Sequence, residues 1–136
     1  MTVNDAAVAE KFNAQMRTQG FIPTQVFFEE TAFVLGWEIS NDQFNVVYRP
    51  EGDTLLICSL ESRKARSGLQ TVLLSVLRLW QETAAYVPEL VKLRAMIRQS
   101  GSENARQVRQ KMVSFLQQKG ANVMQVDDEQ WLELSR

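Results

Sequence analysis

The stretch from Leu60 to Ile97 constrains this chain more than any other. Thr54 to Leu60 is a short apolar run, and the polar, basic segment Glu61 to Gly68 follows it. From Leu69 onward, Val72, Leu73, Val76, Leu77 and Trp80 recur at three- and four-residue steps, the stripe of a helix buried along one side. Past Pro88, Val91, Leu93, Ala95 and Ile97 alternate with Lys92, Arg94 and Met96, and a period of two predicts a strand. Strand, helix and strand within about 45 residues are enough chain for a parallel, right-handed crossover.

Around that unit the chain reads as follows. Asn4 or Asp5 caps a first helix that runs to about Gln19 and stops at Gly20, with Ala7, Val8, Phe12 and Met16 on one face. Phe21 to Phe28 predicts a strand, and Pro23 places it at an edge. Thr31 to Ile39 is nearly continuous in apolar residues, as expected of a strand covered on both faces. Turns at Ser40-Asn41-Asp42 and Pro50-Glu51-Gly52-Asp53 then separate two further strands, Phe44–Arg49 and Thr54–Leu60, and close a meander. After the central unit, Ser100 with Glu103 fits a capping box, with Ser102 as another cap, for a helix that buries Ala105, Val108, Met112, Phe115 and Leu116 and ends at Gly120. Asn122–Val126 and Gln130–Ser135 flank the acidic turn Asp127-Asp128-Glu129 and predict a closing hairpin. No repeat or linker divides residues 1–136. The expectation is one α+β domain in the order α-β-β-β-β-α-β-α-β-β, a mixed, mostly antiparallel sheet flanked by helices on both faces.

Composition narrows the chemistry. The chain has no histidine, which removes histidine triads, histidine acid–base catalysis and histidine metal ligands together. Its one cysteine excludes an internal disulfide, and Cys58, inside an apolar run, reads as a small core residue. No run of about 18 apolar residues is present, and Met1 to Ala6 has no secretory pattern, so a cytoplasmic location is the expectation. The net charge of −1 is unevenly spread: residues 1–61 carry −6, residues 62–119 carry +8 and residues 120–136 carry −3. The basic middle lacks interleaved exposed aromatics, which favours an acidic protein partner over nucleic acid.

Arg63 to Thr71 is the one loop that invites a chemical hypothesis. It joins a strand to a helix N-terminus, where backbone N–H groups and the helix dipole favour anions, and Arg63, Lys64 and Arg66 sit in it. The order of elements resembles the N-acetyltransferase (GNAT) fold, which binds the pyrophosphate of acetyl-CoA at this step. In that family's loop, Gln or Arg precedes two free positions, a Gly, one free position, then Gly or Ala. Gly68 can occupy the first glycine position, but Ala65 stands where Gln or Arg is needed and Gln70 replaces the last small residue. Glu61 and Tyr86 could be nominated as base or acid, with no partner group identifiable for either. Glu29-Glu30 and the acidic turn match no metal-loop spacing. Trp37 and Trp80 fall on core positions, Trp131 opens the last strand, and Phe27 and Phe28, being adjacent, must point to opposite faces, which leaves one of them for a partner. Leu74 and Leu79 lie off the main stripe of the central helix.

Several segments also resemble the SseE/EseE group of small cytosolic proteins of bacterial type III secretion systems, with a fainter likeness to LcrR. They are Glu30–Gly36, Val46–Arg49, Leu56–Cys58, Arg109–Lys111 and Gly120–Asp127, with Trp131 and Leu134. The resemblance implies a chaperone or regulator connected with virulence, which holds a translocon component by direct contact. No catalytic set or cofactor is expected on this reading, and the chain is expected not to be an enzyme. The residues expected to meet a partner are Phe27, Phe28, Arg63, Lys64, Arg66 and Trp131. A divergent acyltransferase using acetyl-CoA or another acyl donor is the alternative.

Overall fold

The computed structural model describes residues 3–62, 69–97, 103–126 and 129–135. The first helix, α1, spans Val3–Thr18 and buries Val8, Ala9, Phe12, Asn13 and Met16. These positions recur every three to four residues, so one narrow stripe faces inward. Gly20 ends it at φ +93°, where the Phe21 N–H donates to the Met16 carbonyl and the Gly20 N–H to the Arg17 carbonyl. The same six-to-one and four-to-one pair closes α3 (Glu103–Gln118) at Gly120, with Ala121 N–H on the Leu116 carbonyl. Both glycines expected to stop helices therefore do so by adopting the left-handed backbone. Between them lies α2, Leu69–Ala84, with Val76, Leu77, Trp80 and Thr83 buried.

The strands are β1 (Thr24–Phe27), β2 (Val34–Ser40), β3 (Phe44–Glu51), β4 (Thr54–Ser62), β5 (Lys92–Ile97), β6 (Asn122–Val126) and β7 (Glu129–Ser135). They form one sheet in the order β1-β2-β3-β4-β5-β7-β6, antiparallel throughout except for β4 and β5. The expected α+β domain, element order and edge positions of the first strand and closing hairpin are all present. The hairpin docks by its second strand, so β7 lies inside and β6 forms the far edge.

Cross-strand partners point to the same side of a sheet, so one face can be followed from strand to strand. Ile39 opposes Val46, Tyr48 opposes Ile57, Pro50 opposes Leu55, Leu55 opposes Leu93, and Leu93 opposes Leu134. Phe12 and Met16 of α1 and Val76 and Trp80 of α2 meet Ile39, Val46, Tyr48, Leu55 and Leu93 around one small hollow of about 20 Å³. The end of α3 joins the same core through Leu116, and Gly120 lies against Leu134. All three helices therefore cover one face, and the expectation of helices on both faces is revised. The cause is topological. β4, β5 and β6 all run the same way and each crossover steps in the same direction, so connections of one hand deposit both helices on one side.

Two further expectations change. The run Thr31–Ile39 is not a strand covered on both sides. Its first residues form a turn in which Phe28 N–H donates to the Phe33 carbonyl and Thr31 N–H to the Phe28 carbonyl, and Phe33 is 77% exposed. Only Gly36 and Ile39 are buried in β2. The first strand shortens to Thr24–Phe27, with Pro23 just outside it, where its missing N–H costs no ladder bond. Trp80 is buried and Trp37 packs against the core, as expected. No helix among the described residues is long and apolar enough to cross a membrane.

Candidate functional site

Two ladders of the sheet stop short of the ends of their strands: β2–β3 beyond Trp37 and Tyr48, and β4–β5, the one parallel pair. The β4–β5 ladder runs from Thr54 opposite Lys92 to Ile57 opposite Ala95, and among the described residues it ends there. Neither strand ends with it. β4 stays paired to β3 as far as Ser62 opposite Phe44, and β5 stays paired to β7 as far as Ile97 opposite Gln130. Past Ile57 and Ala95 the two parallel strands share no ladder pairing among the described residues, and each stays paired on its far side. Backbone N–H and C=O groups facing this gap have lost their ladder partners and can accept a peptide-like occupant.

A bulge marks the point of parting. Val47 opposes Ser59 while Tyr48 opposes Ile57, so Cys58 is the extra residue in β4. An added residue bends a strand and increases its twist, which turns the end of β4 away from β5. Cys58 is a free, half-buried thiol, and burial holds its pKa above the ordinary range; Arg49 opposes that shift and Glu51 adds to it. At neutral pH the thiol therefore stays protonated and is a poor nucleophile. The expectation of a small, inert cysteine fits, although its place at a bulge is not that of a plain core residue.

The sheet face away from the helices is polar beside this point. Arg49, Leu56, Arg94 and Glu133 form one cross-strand row, with Arg94 Nε 2.6 Å from Glu133 Oε2 and Arg49 Nη2 3.0 Å from Glu51 Oε2. The Arg49 Nε is buried without a hydrogen-bond partner. On the helical side, a groove of about 290 Å³ lies between the end of α1, the β2–β3 turn and α2, lined by Gln19, Phe21, Gln43, Phe44, Arg78 and Glu82 among others. Because Phe44 opposes Ser62, the groove is at the end of the sheet to which β4 and β5 diverge.

The residues nominated from sequence do not converge. Arg63, Lys64, Arg66 and Gly68 lie outside the described residues. Phe27 and Phe28 are exposed at the β1 edge, with β2 and β3 between them and β4. Trp131 is half-buried on β7 opposite Met96, the first residue of β5 beyond the last rung, so β5 lies between it and the gap. Glu61 is exposed near the end of β4, and Tyr86 is 70% exposed just after α2. No group of three or more potential metal-ligating side chains is found among the described residues. The gap itself was missed. Its only trace in sequence is a strand-to-helix step, because periodicity does not reveal which strand a ladder loses.

No family model matches the sequence, and no curated protein matches it. Among solved structures, the chain resembles the ribosomal-protein-S18-alanine N-acetyltransferase from Escherichia coli at a TM-score of 0.45 and 11% identity, over 98% of this chain and 87% of that one. This likeness concerns the fold. The neighbour's name is that of an enzyme, which stands against the expectation that the present chain is not one.

Proposed function

We propose that the chain is a divergent acyltransferase of GNAT type that holds its acyl donor, acetyl-CoA or another acyl carrier, between β4 and β5. The observation that supports this is the loss of the β4–β5 ladder after Ile57 and Ala95 while both strands continue. A pantetheine arm carries two amides, one methylene further apart than those of a peptide, and it can pair with main-chain groups along such a gap. In sequence, Arg63, Lys64 and Arg66 follow β4 immediately and supply positive charge for the donor's phosphates. The thioester brings the activated acyl group, and the chain's part is to bind and orient it. A protonated Cys58 fits direct transfer, in which the acceptor attacks the thioester carbonyl, the new bond forms as the C–S bond breaks, and the proton the acceptor gives up ends on the sulfur of the departing carrier thiol. Arg78 and Glu82, one turn apart on α2 in the neighbouring groove, offer charged groups to an acceptor.

Calorimetry with CoA and acetyl-CoA, together with hydrogen exchange, tests this reading. Binding should slow exchange at Cys58–Ser62 and Met96–Ile97 more than at Thr54–Ile57. No heat and an unchanged exchange pattern would remove it.

A second reading, contact with a protein of a secretion apparatus, is favoured by the exposure of Phe27 on the edge strand and of Phe28 just after it. It is compatible with catalysis. Its test is binding of purified translocator proteins, which Phe28→Asp should abolish.

A further inference from the structure

β1 is an edge strand, and among the described residues no strand lies beside its outward N–H and C=O groups. Large apolar side chains are exposed at both of its ends. Ile22, just before it, is 83% exposed; Phe27, Phe28 and Phe33, at and beyond its other end, are 45%, 53% and 77% exposed. Phe28 and Phe33 are held together by the hydrogen bond from the Phe28 N–H to the Phe33 carbonyl, which closes a turn through Glu29 at φ +50°. A non-glycine residue in the left-handed region is uncommon, and here it fixes two bare aromatic rings on one tight loop. Neither lysine nor arginine occurs between Thr18 and Tyr48, so this edge lacks the basic gatekeepers that commonly protect one.

We infer that this edge is the interface of a homodimer in which two β1 strands pair antiparallel about a twofold axis. The distribution of apolar and charged residues selects that occupant. An antiparallel second copy brings its Ile22 to the end where the first copy carries Phe27, Phe28 and Phe33, and the same contact repeats across the axis, as an isologous interface requires. A parallel copy would set Glu29 and Glu30 beside their own equivalents. The antiparallel arrangement instead carries both carboxylates to the end where the partner chain leaves α1, close in sequence to Arg17, an exposed cation that also reaches Glu10 at 3.5 Å within its own chain. The size of the patch sets the strength. At their stated exposures, the three phenylalanines leave about 250–450 Å² bare if each side chain presents the 150–250 Å² usual for an aromatic. With Ile22, two copies together approach about 1,000 Å², the lower limit of a specific interface. With only four residues of ladder and Pro23 ending it, the dimer is a weak one that exchanges with monomer.

Sedimentation equilibrium of the intact chain from low micromolar to near-millimolar concentration tests the inference. The wild type should pass from monomer to dimer, and the exchange of β1 amides should slow over the same range. Phe33→Asp and Ile22→Asp should each weaken association by about tenfold or more. Both sites lie outside the core, so the thermal melting of the dilute monomer serves as the check on folding. A wild type that stays monomeric throughout overturns the inference, as does a dimer whose affinity is unchanged by Phe33→Asp and Ile22→Asp in variants that melt normally. Neither result depends on whether an acyl carrier binds between β4 and β5.

Discussion

The Tyr48 hydroxyl donates a hydrogen bond to Asn13 Oδ1, joining the middle of β3 to the inner face of α1 with both side chains buried. Phe12, beside Asn13, packs edge-on against the Tyr48 ring at 5.0 Å between centroids. One tyrosine thus holds α1 by an apolar contact and a polar one, on the strand that backs the Cys58 bulge. Tyr48→Phe should keep the ring contact and leave the Asn13 carbonyl oxygen buried without a donor, at a cost of about 1–3 kcal/mol. Adding Asn13→Leu should recover part of that loss, because the unpaired acceptor is then absent. Urea unfolding of the two single variants and the double variant measures the coupling. Additive losses would show that the hydrogen bond contributes little.

Alkaline pH should act on the same residue. Burial pushes the Tyr48 phenol well above its ordinary range, with Arg17 opposing the shift. The unfolded phenol gives up its proton near pH 10, whereas the folded one keeps it. Tyr48 therefore contributes fully below about pH 10 and loses that contribution as pH rises toward the folded value. The melting temperature should fall above about pH 10, and Tyr48→Phe should flatten the fall. An equally steep decline in the variant would assign the effect to other groups.

Gly36 is a packing requirement on the other side of Tyr48. A Cβ built on it runs into the Tyr48 carbonyl oxygen and comes within 3.3 Å of Arg49 Cβ. Its φ is not in the left-handed region, so the constraint is space and not backbone freedom. The neighbour is main chain in the middle of a sheet and has no rotamer to escape through. Gly36→Ala should cost about 1–3 kcal/mol, in the range of overpacked cores, and should loosen β2 from β3. Native-state hydrogen exchange across Trp37–Ser40 would detect this, and wild-type protection there would contradict it.

The parts of this fold legible in the sequence depend on local chemistry. Gly20 and Gly120 stop helices because a left-handed residue must follow each last turn. The alternation around Leu93 predicts a strand because only one face of β5 packs against helices. The same local reasoning failed wherever an apolar residue was not in the core. Ala32 and Phe33 extend an apolar run yet lie in an exposed turn, since the run does not reveal that Thr31 closes that turn with its hydroxyl on the Phe28 carbonyl. The candidate site was less legible still. The end of the β4–β5 ladder at Ile57 and Ala95 falls beside a register offset between β3 and β4, and the extra residue, Cys58, looks in sequence like any other member of the strand.

Cys58 offers the most direct view of that parting. Its half-buried thiol has its pKa raised first by burial, so few molecules carry a thiolate at neutral pH. Thiol reagents should therefore modify native protein much more slowly than unfolded protein, and the native rate should rise with pH. Because the residue is the inserted one at the point where β4 leaves β5, CoA bound in the gap should slow modification further. Cys58→Ser should leave acyl transfer near the wild-type rate, since direct attack by the acceptor requires no enzyme thiol. Mass spectrometry of iodoacetamide-treated protein, with and without CoA, follows the first two effects, and turnover of the variant follows the third. Fast native alkylation would contradict the burial argument, whereas loss of turnover in Cys58→Ser would instead indicate an acyl-cysteine route and exclude direct transfer.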